Sequence, residues 1–429
     1  MTLLLLFLGV LIILTLLGMP IFTAIGISAL VGMLVHYGPT EVPYTIIAQK
    51  FLYGVNSFPL MAVPLFILAG KIMNVGTVTT RIFDFVRCLV GHWRGGLAQA
   101  NVLSSVFFAG MSGSALADAM GMGQIEIKAM RDSGYDEEFS AGITAASSTI
   151  GPIIPPSIPL IIFGVMANTS ITAILIAGLL PGLLMAGSLI VMSYVMARRR
   201  GYQKSARPDL ATLILATKRA ILPLLTPIII LSGMIFGVVT PTEAAAIAVT
   251  YSLLLAMFIY REMSFQALTD LVVETVFDSA SVLIIVGASA LFGWILVFSK
   301  VPQELVAMFS DLGLGTVSTL MVINLLLLAV GLFLEASAAI VIFTPMLLPL
   351  ALAVGVDPVH FGIIMVFNLM IGLLTPPMGL TLFAVGKISG LPLNAMTRAV
   401  MPFYPALLIG LLIVTFVPEV SLLLPGLLK

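Results

Sequence analysis

Charge is what this sequence has least of. Only 9% of its 429 residues are Asp, Glu, Lys or Arg, while 60% are hydrophobic and the mean hydropathy is +1.20. A water-soluble chain of this length needs more charge to stay dispersed and far less apolar material to build a core. The charges present sum to zero, which excludes a nucleic-acid binder, since that demands a clustered basic surface. The one cysteine, Cys88, cannot close an internal disulfide and has no companions for a metal or redox motif. Three histidines, His36, His92 and His360, are too scattered for a metal site, and none stands near a serine it could activate. No Walker-type lysine loop or zinc-ligand spacing occurs, so no enzyme activity is expected. The N-terminus lacks the basic start and small-residue cleavage site of a signal peptide, and Thr2 to Leu17 reads as a retained membrane helix.

What is abundant is apolar sequence punctuated by glycine (38) and proline (25), as in membrane helices that pack closely or break. A span needs roughly 20 mostly apolar residues. Stretches 57–77, 139–166, 171–197, 219–239, 243–260, 278–299, 358–386 and 399–423 qualify, and 3–36 reads as two spans joined at Gly18-Met19-Pro20. Stretches 97–127 and 316–354 are apolar but interrupted midway, by Gly110-Met-Ser-Gly-Ser114 and by Glu335-Ala336-Ser337. Such interruptions are costly facing lipid but tolerable at the tip of a re-entrant hairpin buried in protein.

Basic residues, which mark cytoplasmic loops, support the hairpins. Arg81, Arg87 and Arg94 precede the first, Lys128 and Arg131 follow it, and seven basic residues lie between Arg198 and Arg219. Arg261, Lys387 and Arg398 agree; Lys50, Lys300 and Lys429 fall outside, and Lys71 snorkels near a cytoplasmic helix end. The second hairpin, flanked by Asp311 and Asp357, opens to the other side.

The fold class expected is an all-α polytopic membrane protein, an inverted repeat of five spans plus one hairpin per half. Residues 1–36 and 219–260 each give two spans. Amphipathic arms follow, Glu41 to Tyr53 and Ser264 to Asp278, then a span, a hairpin and two more spans. An odd number of spans turns the second half upside down, as in secondary transporters whose sites lie between the halves. About forty residues after each hairpin tip comes a proline break: Gly151-Pro-Ile-Ile-Pro-Pro-Ser157 and Thr375-Pro-Pro-Met-Gly379. Tandem prolines remove donors and stop the helix, leaving carbonyls and half-helix ends suited to cations.

One sodium site is expected at Ser112 and Ser114 with the backbone of Gly151, Ile154 and Pro156. A second is expected at Glu335, Ala336 and Ser337 with Leu374, Thr375 and Met378. Gly113, Asp118 and Ser157 are candidates for substrate contact or coupling. Plainer readings stand beside these: the serines as small packing residues, Asp118 as a local partner or cap, and Glu335 as a helix cap. Thr240-Pro-Thr-Glu243 reads as a capping box, Asp357-Pro358 as a cap plus first turn, the 24 methionines as packing, and Arg198-Arg-Arg200 as a topogenic anchor.

Four motifs in order, Gly110-Met-Ser-Gly-Ser-Ala-Leu-Ala-Asp118-Ala, the 151–157 break, Gly237-Val-Val-Thr-Pro-Thr-Glu-Ala-Ala245 and Thr375-Pro-Pro-Met-Gly379, resemble the large membrane subunit of tripartite ATP-independent periplasmic (TRAP) transporters. The resemblance covers essentially the whole chain. It implies an elevator of the ion transporter superfamily: a scaffold from 1–96 and 198–315, and a transport domain from 97–197 and 316–429, each holding a hairpin and a broken helix. It further implies sodium-coupled uptake of an organic acid with no other cofactor. A secreted periplasmic binding protein delivers the acid and a small four-helix membrane subunit braces the scaffold. No four-helix segment precedes the first span, so that subunit is expected on a separate chain. The run Ser114 to Arg131 is most similar to sialic-acid members, with C4-dicarboxylate members second. The place implied is the bacterial inner membrane with both termini periplasmic. A stand-alone sodium–dicarboxylate symporter and a non-transporting scaffold are the rival readings.

Overall fold

A computed structural model describes residues 2–38, 42–202, 204 and 206–427. Glu41, where the first arm is expected to begin, and Lys429, expected outside, lie beyond the described residues. Among those described there is no β-strand, only an isolated bridge between Arg94 and Lys204. Among the described residues six helices are long and apolar enough to cross a membrane, or seven if the bent pair Tyr44–Val55 and Phe58–Met73 is one span. The protein is a multi-pass membrane protein.

α1 (Thr2–Leu16) and α2 (Ile21–Tyr37) are separated at the expected Gly18-Met19-Pro20 break, where Gly18 takes φ 82°. They fold back on each other, with the Ser28 hydroxyl donating to the Phe7 carbonyl at 2.7 Å. The first arm is α3 (Tyr44–Val55), bent by 57° from the segment containing α4 (Ala62–Met73). α5 (Val78–Val90) leads into the first hairpin, α6 (Gly96–Ser112) and α7 (Ala115–Asp132), which pack together across a two-residue turn. α8 (Glu137–Ser148) and α9 (Ile158–Met166) are the two pieces of the first broken helix, followed by α10 (Ile171–Ala177) and α11 (Leu179–Arg199).

α12 (Leu210–Ile235) starts inside the basic loop, nine residues ahead of the expected span, because Asp209 caps it through the Thr212 amide. α13 (Pro241–Leu253) opens on the expected capping box, Thr240 and Glu243 each bonding the other's backbone, and widens to a π turn over Leu254–Ile259. The second arm and the span after it are one helix rather than two. α14 (Phe265–Phe298) runs 34 residues, about 51 Å at 1.5 Å per residue. Asp270, Glu274 and Asp278 recur every four residues, so they form one stripe instead of ending the helix. Lys71 of α4 pairs with two of the three, Glu274 at 3.2 Å and Asp278 at 2.7 Å, where the sequence led us to expect it to snorkel.

α15 (Val301–Asp311) precedes the second hairpin, α16 (Thr316–Gly331) and α17 (Ala336–Ala353). α18 (Pro358–Gly372), capped by Asp357 as expected, and α19 (Leu380–Ser389) are the second broken helix. α20 (Leu393–Val400), α21 (Tyr404–Phe416) and α22 (Glu419–Leu427) complete the chain; the expected last span ends at Phe416, ahead of Pro418. The core lies where the broken helices meet the hairpins: Ile158–Gly164 of α9, nearly all of α17 and Val359–Gly372 of α18 are buried. The first proline break thus sits in the most enclosed part of the molecule, which is what positions the site, while the second reaches the surface at Pro377 and Met378.

Candidate ion and substrate site

The first hairpin turns on three residues. α6 ends at Ser112, Gly113 takes the left-handed conformation at φ 60°, and Ser114 caps α7, accepting from the Ala117 amide at 3.4 Å. Glycine is needed at 113 both for that φ and because the Pro156 carbonyl presses on the place a Cβ would occupy. A Cβ on Gly151 would lie 3.3 Å from the Ser114 carbonyl. The tip therefore packs against both ends of the break, bringing Gly113, Ser114, Gly151 and Pro156 together. Ser112 lies alongside Gly70 of α4.

Residues 149–157 are all buried. Pro152 and the cis-linked pair Pro155-Pro156 contribute carbonyls without amides. Ser157 restarts the helix, its hydroxyl donating to the Pro152 carbonyl and accepting from the Leu160 amide at 3.2 Å. A clip and a cap are thus its visible roles. Among the described residues no donor reaches the carbonyls of Gly151, Ile154 or Pro156, and the Ser112 hydroxyl is buried without a partner. The Ile154 side chain packs on Gly182 of α11, so what it offers a ligand is its carbonyl. A buried polar group left unpaired costs about 1–3 kcal/mol. Unpaired oxygens of this kind, without a fixed charge, suit a small hard cation such as sodium.

The second hairpin is built differently. Glu335 caps α17: Oε2 accepts from the amides of Ser337 (2.9 Å) and Ala338 (3.2 Å), and Oε1 from the Ser337 hydroxyl (3.0 Å). Ala336 is buried beside this cap. Gly331 and Gly372 meet backbone to backbone, and the Met378 amide donates to the Leu332 carbonyl at 3.3 Å, tying break to tip. The Leu374 carbonyl receives the Tyr404 hydroxyl at 2.6 Å, and the Thr375 hydroxyl donates to the Ile371 carbonyl at 2.9 Å. Pro377 and Met378 are exposed. In this conformation the second region has its carboxylate, both hydroxyls and the Leu374 carbonyl engaged, whereas the first keeps the Ser112 hydroxyl and the carbonyls of Gly151, Ile154 and Pro156 free.

Asp118 sits one turn into α7, 2% exposed and close to Ser105 of α6, with neither oxygen in a hydrogen bond of full geometry. Two turns on, Glu126 is equally buried and its Oε1 has no partner. Asp118, Met122 and Glu126 are spaced by four, so the hairpin carries two unpaired acids on one face.

Residues 8–420 match the family described as the tripartite ATP-independent periplasmic transporter, DctM component. The chain belongs to this family. It is 44% identical over 410 residues to the sialic acid TRAP transporter large permease protein SiaM of Vibrio cholerae, covering 96% of this chain and 95% of that one. It is 38% identical to the sialic acid TRAP transporter permease protein SiaT of Haemophilus influenzae, over 96% of this chain and 66% of that protein. It is 40% identical to the C4-dicarboxylate TRAP transporter large permease protein DctM of Pseudomonas aeruginosa, over 89% of each. The crystal structure of the Alcanivorax borkumensis YdaH transporter superposes with a TM-score of 0.61 at 15% identity, covering 89% of this chain and 87% of that one, a likeness of fold. The permease is thus a TRAP transporter large permease, and its relatives are permeases rather than enzymes.

The permease also holds site residues that sequence reasoning passed over. Asn101 of α6 donates to the Thr144 hydroxyl at 2.7 Å and accepts from Ser147 at 2.6 Å, clipping the hairpin to α8. In the other half, Asn324 of α16 donates to Thr415 at 3.0 Å and accepts from Asn368 of α18 at 2.7 Å. Each asparagine stands eleven residues before its tip residue, Ser112 or Glu335. That matching offset of a polar residue in an apolar arm was the signal available. Tyr404 carried none, since its partner is thirty residues away.

Proposed function

We propose that this permease is a sodium-coupled secondary transporter subunit importing an organic acid, N-acetylneuraminate, delivered by a periplasmic binding protein. The observation that carries the reading is the buried first tip and break with their four donorless oxygens. Sodium there would be held by Ser112, with Ser114 beside it, and by the carbonyls of Gly151, Ile154 and Pro156; the second site uses Glu335 to Ser337, Leu374, Thr375 and Met378. Sodium binds first and orders the tips, and the acid enters between them. A ligand shifts such an equilibrium only through differential affinity, so sodium and substrate favour the same closed-tip state. The two halves form an inverted repeat: 97–197 and 316–429 move as an elevator against 1–96 and 198–315, which a small four-helix subunit braces. The setting is the inner membrane with both termini periplasmic. The 44% relative favours sialic acid, while the 40% DctM relative keeps a C4-dicarboxylate as the second reading.

The test is uptake in proteoliposomes containing the permease and its small subunit, with binding protein outside. Sodium-dependent accumulation of N-acetylneuraminate supports the proposal. Accumulation of succinate instead moves the substrate to the second reading, and uptake without binding protein identifies a stand-alone symporter. Absence of flux of either acid under a sodium gradient rejects transport of both. Asp118→Asn is expected to abolish uptake, and full activity in that variant removes Asp118 from the site.

A further inference from the structure

The turn from α5 to α6 and the loop after α11 meet at the end of the bundle, joined by the bridge between Arg94 and Lys204. Gly95 makes the close approach possible, since a Cβ there would strike Ala197 of α11. Beneath the bridge lies a cavity of about 360 Å³ lined by His92, Trp93, Arg94, Tyr194, Lys204 and Arg207. Three cations thus face one space, and none of them pairs with a described carboxylate. Their neighbour Arg200 is committed elsewhere, to Asp136. The His92 Nδ1 atom is buried without a partner.

Backbone pairing that holds Arg94 against Lys204 costs repulsion unless an anion enters. The aromatics say where that anion resides. Trp93 is 46% and Tyr194 43% exposed, and amphipathic rings of this kind settle at the level of lipid headgroups. Basic pockets at the ends of membrane helices recognise phosphate-bearing headgroups, and guanidinium groups bind phosphate oxygens through paired donors. We propose that this cavity binds a phosphate anion supplied by the headgroup of an anionic phospholipid. The site joins the entry of the first hairpin to the loop between α11 and α12, so an occupied pocket ties these two connections together. It requires only that the protein sits in a bilayer and is independent of the sodium and substrate assignments.

The test uses the two tryptophans, Trp93 and Trp294. Full-length Trp294→Phe, reconstituted in phosphatidylcholine vesicles, leaves Trp93 as the sole emitter, quenched by bromine-labelled lipid. Brominated phosphatidylglycerol is expected to quench at a mole fraction roughly five- to ten-fold lower than brominated phosphatidylcholine. Adding Arg94→Gln, Lys204→Gln and Arg207→Gln should remove the preference, while Arg198→Gln with Arg199→Gln, outside the cavity, should leave it. Equal quenching by the two lipids overturns the proposal, and this comparison decides alone if the triple variant fails to fold. Displacement of the lipid by millimolar inorganic phosphate assigns the cavity to free phosphate and overturns the lipid source.

Discussion

Ser112 and Ser114 look interchangeable in sequence but differ in the folded chain. Ser114 caps α7, so Ser114→Ala should cost about 1 kcal/mol, seen as a lowered thermal midpoint. Ser112 has no partner to lose, so Ser112→Ala should leave that midpoint nearly unchanged. It should raise the sodium concentration for half-maximal uptake about ten-fold, or ~1.4 kcal/mol. Unaltered sodium dependence in both variants removes the first ion site as drawn. Gly113→Ala meets both the positive φ and the Pro156 carbonyl. It should abolish sodium-dependent uptake while the purified chain still folds; wild-type uptake would show that tip and break can separate freely.

At the scale of elements, the asparagine clips hold each hairpin to its broken helix. Asn101→Leu removes the bonds to Thr144 and Ser147, each worth about 1 kcal/mol, although both hydroxyls keep a backbone carbonyl, and the thermal midpoint should fall. Replacing exposed Asn394 in the same way should not move it. A second fastening joins the α7–α8 turn to the chain after α11, where Tyr202 donates to the Asp136 carboxylate at 2.7 Å and Arg200 pairs with it. The Tyr202 hydrogen bond, followed by Arg200, holds Asp136 below the usual carboxylate range. Because the folded value is the lower one, this contribution is complete above about pH 4 and disappears as pH falls through the depressed value. The groups are largely exposed, so Asp136→Asn should cost under about 1 kcal/mol at pH 7. The gap between thermal scans of the two proteins should shrink as pH falls below about 4, and a gap that stays constant down to the acid limit of folding contradicts the latch.

At the scale of the whole molecule, the proposed inversion sets two hairpins opening on opposite sides. With Cys88, the sole cysteine, replaced by serine, single cysteines at Arg94 and at Asp357 should react with impermeant thiol reagents from opposite faces. Labelling of both from one face refutes the inversion. Much of the architecture was legible along the chain: the Gly18-Met19-Pro20 break, the Thr240 capping box, the Asp357 cap and both tandem-proline breaks all follow from local backbone chemistry. The second arm was misjudged because Asp270, Glu274 and Asp278 read as an interfacial segment. Their spacing of four instead places them on one stripe of a continuous helix, where Lys71, some two hundred positions away, pairs with two of them.

By itself the sequence determined that the chain lives in a membrane, where its helices break and which residues sit at the tips. Hydropathy, proline's missing amide and glycine's freedom act within a few residues. Only the tertiary structure decided which oxygens stay free for a ligand. Glu335 is engaged by its own cap and Leu374 by Tyr404, while Gly151, Ile154 and Pro156 keep bare carbonyls. Whether a donor reaches an oxygen depends on which distant helix arrives beside it, and long-range packing settles that.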